Sequence, residues 1–521
     1  MSDEVRAYHA LSKHRPDAWA PGPGRLEWST QPAPFRRYAG ARCIALPRRP
    51  LEETPRYDQP FAGPVSAPAP FDAASIGQLL YDSLALSAWK EDGGNRWALR
   101  VNPSSGNLHP TEAYLLAPAG SLDGPALLAH YAPDLHGLEV RAELPAALAL
   151  PAGGLLLGLS SIHWREAWKY GERAYRYCQH DLGHALAAIA IAASALGWRV
   201  RLLGQVPDAR LDALLGLDRP GFEEAERADA LLWISAPDAP LPRLPGTLLD
   251  GLAALELDGV PNRLSREQRH WPELERVLQL CRAPAQADSD DAFTPGRQSD
   301  DNPGLPLRPL LHRRRSAQAM DGRTGIHAEL LLAWLRRLMP ENSPVPLALA
   351  GAPQVDLLLF VHRVQGLEPG LYWLARGAAL EAELAQGLRE DFLWRRVPGE
   401  LPLYRLLEGD ARGLAGFLSC GQDIAADGCV ALAMLARFDQ ALEQGAWRYP
   451  RLFWECGLLG QLLYLEAEAA GLSGTGIGCY FDDAVHELLG LADSRWQSLY
   501  HFTLGRARWD ERLTTAPAYP E

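Results

Sequence analysis

The stretch ALGWRVRLLGQVPDARLDALLGL, residues 195–217, lies on AAGLSGTGIGCYFDDAVHELLGL, residues 469–491, without a gap. The same offset of 274 residues pairs Tyr175 with Tyr449, Gly183 with Gly457, Gly204 with Gly478 and Asp208 with Asp482. An ungapped match of this length marks an internal duplication, and it constrains the chain more than any other feature. Two related units in one chain bury matching faces against each other as the subunits of a homodimer do. Each unit reads as helices around a central sheet ending in a strand, ADALLWISAP in the first and LYHFTLGRAR in the second. The expected fold class is therefore α+β, with two tandem units forming an intramolecular pseudo-dimer that is compatible with a monomer.

The rest of the chain divides around these units. Residues 1–72 are dense in Pro and poor in periodicity, which predicts an extended arm wrapping a surface. The first unit runs over 73–246, opening on FDAASIGQLLYDSLALSAWK, which reads as a helix with Asp72 as its cap. YGERAYRYCQHDLGHALAAIAIAASALGW reads as one long core helix, apolar on every side in its second half. A connecting helix and an acidic, Pro- and Gly-containing linker fill 247–304, and the second unit follows over 305–521. At 521 residues the chain is long enough for two cores.

A net charge of −13 lacks the basic footprint of a nucleic-acid binder. The start has no apolar run of signal-peptide length and no later segment reaches 18 uninterrupted apolar residues, so no membrane partner and a cytoplasmic location are expected. The seven Cys are scattered without a CxxC pair, which indicates neither a disulfide framework nor a zinc ribbon.

Four segments carry the chemistry. NPSSGNLHP, from Asn102, packs small polar residues ahead of the strand-like TEAYLLAPA. HRRRS, at 312–316, is an Arg cluster; an Arg run by itself is usually a solvated face. GTGIGC, at 474–479, nearly spells a dinucleotide fingerprint, but a helix precedes it where that fingerprint needs a strand. The C-terminal FTLGRAR supplies a second basic pair. In this order and spacing the segments resemble the FMN-contacting motifs of the nitroreductase-like flavoenzymes. KYGERAYRY and VQGLEPGLYWL make the long form most similar to the branch containing the SagB-type azoline dehydrogenases.

The resemblance implies FMN held between the two halves. Arg314, Arg315 and Ser316 match the family's phosphate clamp, and Arg506 and Arg508 its C-terminal basic pair. Gln318 stands where many relatives carry a cation. Guanidinium groups suit a dianionic phosphate because they bind it bidentately. Gly478 and Cys479 would present backbone N–H groups to flavin N5 from a tight turn. Pro103, Ser104, Ser105 and Asn107 would reach the flavin from the opposite half. The first half has LALSAWK where a clamp should be, and the second has VPLALAGAPQVDLLLF where the Ser stretch should be, so one site is expected and its mirror image lost.

Lys169 and Tyr170 match a pair that azoline dehydrogenases are thought to use to take a proton. A Lys with an ordinary pKa near 10.4 is a poor base at neutral pH, and burial or nearby cations such as Arg173 and Arg176 would make it a better one. The expected activity is hydride transfer through flavin N5, oxidising an azoline or related heterocycle in a peptide. A stand-alone NAD(P)H-dependent reductase of small electrophiles is one alternative. Two others are a flavin-binding protein without catalysis and a zinc hydrolase using HDLGH, where His180 and His184 stand at i, i+4 around Asp181.

Overall fold

A computed structural model of the protein describes residues 1–61, 67–285, 304–342, 352–377 and 385–520. Most of the linker expected at 282–304, and residues 345–351 of the VPLALAGAPQ stretch, lie outside the described residues.

The duplication is repeated in three dimensions. Helix Ala174–Ala195 and helix Arg448–Ala469 each span 22 residues and start 274 residues apart. Asp208–Leu215 and Asp482–Leu489 follow at the same offset, each ending on a left-handed Gly, Gly216 and Gly490. Each half has a seven-stranded antiparallel sheet. The first runs Cys43–Ala45, Gly137–Glu143, Leu127–Ala132, Thr111–Ala117, Gly154–Ser161, Arg227–Ser235, Arg199–Leu202. The second runs Arg395–Arg396, Leu403–Glu408, Gly370–Leu374, Val355–Val361, Val430–Arg437, Trp496–Gly505, Ser473–Ile477. The spatial order matches strand for strand except at one edge, where the first sheet borrows its outer strand from the N-terminal arm.

The two 22-residue helices pack on each other at the centre of the molecule. A Cβ on Gly183 would sit 2.9 Å from the Cα of Gly457, so the duplicated glycines are where the two backbones cross. Tyr175 and Tyr449, another duplicated pair, stack with ring centroids 6.0 Å apart. The main hydrophobic core runs without a break through both helices and the inner faces of both sheets, and each sheet has its own smaller core on the outer face. The halves are thus two lobes of one folding unit.

Three local expectations are corrected. Residues Ser2–Leu11 of the arm form a helix, whose Arg6 pairs with Asp439 of the second half. The helix capped by Asp72, whose carboxylate accepts the Ser75 N–H at 2.8 Å, ends at Tyr81. The residues after it form strand Leu86–Asp92, which turns through Gly93 and Gly94 into Asn95–Arg100 and pairs with the C-terminal strand Thr514–Ala516. The long helix expected from Tyr170 breaks at Gly171, whose φ of +56° no helix accommodates. The chain thus reaches out at both ends, the N-terminal helix onto the second half and the C-terminal strand onto the first.

Candidate active site

A cavity of about 310 Å³ opens between the halves. Pro103, Ser104 and Asn107 line it from the first half, and Arg314, Arg315, Ser316 and Gln318 from the second. Asp181 sets the first wall: its carboxylate accepts the Ser105 N–H at 3.0 Å and the Ser105 hydroxyl at 3.0 Å. Ser104 Oγ in turn accepts the His109 N–H at 2.7 Å, closing the loop on itself. Burial pushes the Asp181 carboxyl up to about 7, against the Ser104 and Ser105 hydrogen bonds that favour its charged form.

The second wall is laid along the edge strand Ser473–Ile477. Ser316 bridges Gly474, and the Ala317 N–H donates to the Gly474 carbonyl at 3.1 Å. Tyr464 Oη locks both segments, meeting Ser316 Oγ at 2.8 Å and accepting the Gly476 N–H at 3.0 Å. GTGIGC is therefore an edge strand running into Gly478 and Cys479, where a tight turn was expected. Its glycines answer a packing demand: a Cβ on Gly478 would clash with the edge of the Tyr177 ring, 2.9 Å from Cδ1 and closer still to Cε1. The Gly478 carbonyl is held by Tyr177 Oη and Arg173, while the N–H groups of Gly478 and Cys479 meet no acceptor among the described residues.

The cavity floor is cationic. Lys90, Arg100, Arg314 and Arg315 line it against one carboxylate, Asp510, which is paired with Arg512. Arg314 is 4% exposed; its Nε and Nη2 donate to the carbonyls of Val101 and Arg100, and its Nη1 has no partner. Burial lowers the pKa of Arg314, and burial with the adjacent Arg314 charge pushes Arg315 down to about 10. Neither guanidinium has a carboxylate within ion-pair distance among the described residues. Buried cations left without a counter-charge are costly unless an anion completes them, and a dianionic phosphate supplies that charge. These residues fit the phosphate of FMN.

Arg506 and Arg508 do not share in this floor. Both side chains are exposed: they follow the strand that ends at Gly505, and only their backbone is tied down, the Arg506 carbonyl to the Asp321 N–H and the Arg508 N–H to the Ala319 carbonyl. Lys90 and Arg100 stand in the cavity in their place. Lys90 comes from the LALSAWK stretch, the segment that seemed to mark only the loss of a mirror clamp.

On the other side of the Ser loop, Lys169 and Tyr170 converge on Gly106. A Cβ there would lie 2.6 Å from Tyr170 Oη and 3.0 Å from Lys169 Nζ, and the backbone has φ +57°. Tyr170 stacks on Tyr177 at 4.1 Å, which links the pair to Gly478 of the opposite half. Glu166, one turn earlier, is fully buried with neither carboxylate oxygen partnered. Burial, reinforced by Asp181, raises its pKa well above the usual carboxylate range. Arg173 and Arg176, expected as free cations beside Lys169, are both paired with Asp482.

The sequence matches the description "Nitroreductase family" over residues 96–226 and again over 380–506. The chain is a tandem member of the nitroreductase family. Among solved structures, a protein from Anabaena variabilis assigned to the nitroreductases is 25% identical, with a TM-score of 0.69 over 97% of this chain and 99% of that one. An Escherichia coli microcin synthetase complex with a truncated pro-peptide bound matches at 17% identity and TM-score 0.29, over 42% of this chain and 79% of that one. An FMN-dependent nitroreductase from Clostridium difficile matches at 12% identity and TM-score 0.22, over 39% of this chain and 88% of that one. No curated protein matches.

Within the nitroreductase halves, the HDLGH motif is spent on packing and on the loop. His180 stacks on Tyr500 at 4.1 Å and bonds the Leu499 carbonyl, and His184 lies between Gln461 and Tyr500. The residue at the Asp181 position of the second half, 274 further on, is Glu455. It accepts the Gln354 and Val355 N–H groups, but it also pairs with Arg376, so the mirror loop carries its own counter-charge. Sequence reasoning missed Glu166, Lys90, Arg100 and the anchoring role of Asp181. The offset of 274 was the available signal for Asp181, since it pairs two acids at the same depth of the two long helices.

Proposed function

We propose that this chain is an FMN-dependent oxidoreductase with one active site, built from the Ser loop of the first half and the Arg clamp of the second. The observation that carries the reading is Arg314, buried, cationic and short of one partner, facing Ser104 and Asn107 across the cavity. FMN, when bound, accepts a hydride at N5. Arg314, Arg315, Lys90 and Arg100 would hold its phosphate, Ser104, Ser105 and Asn107 would approach the ring edge, and the N–H groups of Gly478 and Cys479 would serve as neutral donors. The site lies in the cavity between the two halves, each of which supplies one wall.

Lys169 and Tyr170, converging on Gly106 of the Ser loop, would take the proton a substrate loses. Glu166 makes no hydrogen bond to the Lys169 amine, which leaves that amine free of it. The pair suits a substrate that loses a proton from one carbon and a hydride from its neighbour, as an azoline in a peptide does on becoming aromatic. A proton acceptor held at a fixed place contributes about 10²–10⁴ in rate.

Two results test this. Purified protein should be yellow and release one FMN per chain; two per chain would show that the mirror site also works. Lys169→Ala and Tyr170→Phe should keep FMN while flavin reduction by an azoline peptide falls at least about 100-fold. Normal peptide-driven reduction in both variants would remove the pair from the chemistry. Rapid reduction of the wild type by NAD(P)H, with none by the peptide, would favour the small-electrophile reductase.

A further inference from the structure

Of the seven cysteines, Cys43 is exposed, four are buried, and Cys420 and Cys479 are half-buried. These last two, 59 positions apart in sequence, are brought face to face by hydrogen bonds on either side of them. The Phe481 N–H donates to the Leu418 carbonyl at 2.8 Å. Gln422 Nε2 donates at once to the Ser419 carbonyl at 2.7 Å and to the Cys479 carbonyl at 3.0 Å. The 418–422 turn is thus stitched to 479–481 at two points with one cysteine from each strip between them. Cys420 itself has φ +58°, a backbone region that residues with a side chain rarely adopt. The Gln422 side chain ties the carbonyl before Cys420 to the carbonyl of Cys479 itself, which holds the two cysteines side by side.

We infer that Cys420 and Cys479 are an oxidisable thiol pair that closes to a disulfide at the rim of the active site when the protein meets a hydroperoxide. Arg173, whose Nη2 donates to the Gly478 carbonyl at 3.0 Å, lies beside Cys479 and makes it the attacking thiol, with Cys420 the resolving one. Contact with Cys420, and then the Arg173 cation, holds the Cys479 thiol below its ordinary pKa. The Cys479 sulfur takes the distal oxygen of the peroxide, the O–O bond breaks, and one alcohol or water leaves. Cys420 then displaces the resulting hydroxyl as water, forming the Sγ–Sγ bond. Two thiols and one hydroperoxide give one disulfide, one alcohol or water, and one water, and the thiols have lost two electrons. The closed bond would pin the 418–422 turn onto the residues that follow Gly478. Formation of the disulfide needs no flavin; only its place at the active-site rim rests on the proposed function, in which the Cys479 N–H faces the flavin.

The test uses the full chain as purified, treated with a small excess of hydrogen peroxide, denatured, alkylated and mapped by mass spectrometry without reductant. The expected result is five alkylated cysteines of the seven, with Cys420 and Cys479 peptides joined and freed by dithiothreitol. Cys43→Ser should behave the same. Cys420→Ser should leave Cys479 to progress to the sulfinic acid, which shows the order of the two steps even if the disulfide itself is slow. Seven free thiols, a disulfide joining other cysteines, or sulfinic acid on Cys479 in the unmutated chain with Cys420 free would each overturn the inference.

Discussion

Asp482→Ala is expected to destabilise the protein by about 3–5 kcal/mol, the loss typical when one partner of a buried ion pair is removed. Asp482 is fully buried in the second half and accepts from Arg173 Nη1 at 3.2 Å and Arg176 Nη1 at 2.6 Å, both from the first, and from the His14 N–H at 3.1 Å. Without it two desolvated guanidinium groups of the first half are left side by side at the joint with no counter-charge. Denaturant unfolding checks the value. Asp208, the duplicated counterpart, is the control: its carboxylate accepts the Ala283 N–H at 2.8 Å, and burial pushes it up to about 6. Asp208→Ala should cost about 1 kcal/mol, the worth of an ordinary hydrogen bond. The pH dependence follows from the sign. Although burial opposes it, the charges of Arg173 and Arg176 hold the Asp482 carboxyl far below the usual carboxylate range. The stabilisation is therefore fully present above the unfolded pKa, about 3.9, and is lost as pH falls below it. Asp482→Ala should flatten the acid limb of the stability curve.

Arg314→Ala should weaken FMN binding by about 2 kcal/mol, or roughly 30-fold in Kd, while Arg506→Ala should leave it within about a factor of two. The two residues differ in surroundings, not in chemistry. Arg314 is 4% exposed, held by two backbone carbonyls and missing one partner, so a phosphate there meets a desolvated cation already in place. Arg506 lies in solvent, where screening leaves little for a charge to contribute. Flavin fluorescence titration of the apoprotein reads both. Equal losses would return the C-terminal basic pair to the phosphate site, and no loss in Arg314→Ala would move the phosphate elsewhere.

Much of the fold was legible because it is locally encoded. The offset of 274 reproduces the start and end of both paired helices, since the same apolar pattern and the same Gly after the last turn make the same helix twice. Strands Thr111–Ala117 and Arg227–Ser235 fell where β-prone runs predicted them. Where local pattern misled, a distant partner had decided the matter. Leu86–Asp92 continues a helical pattern, yet it becomes a strand because Asn95–Arg100 and Thr514–Ala516 pair with it on both sides.

The site divides in the same way. The sequence by itself determined that the chain holds two related halves, and it marked NPSSGN, HRRRS and GTGIGC as the segments to examine, because residue size and charge can be read without a structure; that the halves share one main core came from the structure. Only the tertiary structure decided that Arg314 points inward and Arg506 outward, that Lys90 and Arg100 join the cationic floor, and that Asp181 anchors the loop instead of serving a metal. It also buried Glu166 without a partner and spent Arg173 and Arg176 on Asp482. Each of these depends on desolvation and on partners tens to hundreds of residues away, and burial of that kind is a property of the packed chain that no local window of sequence contains.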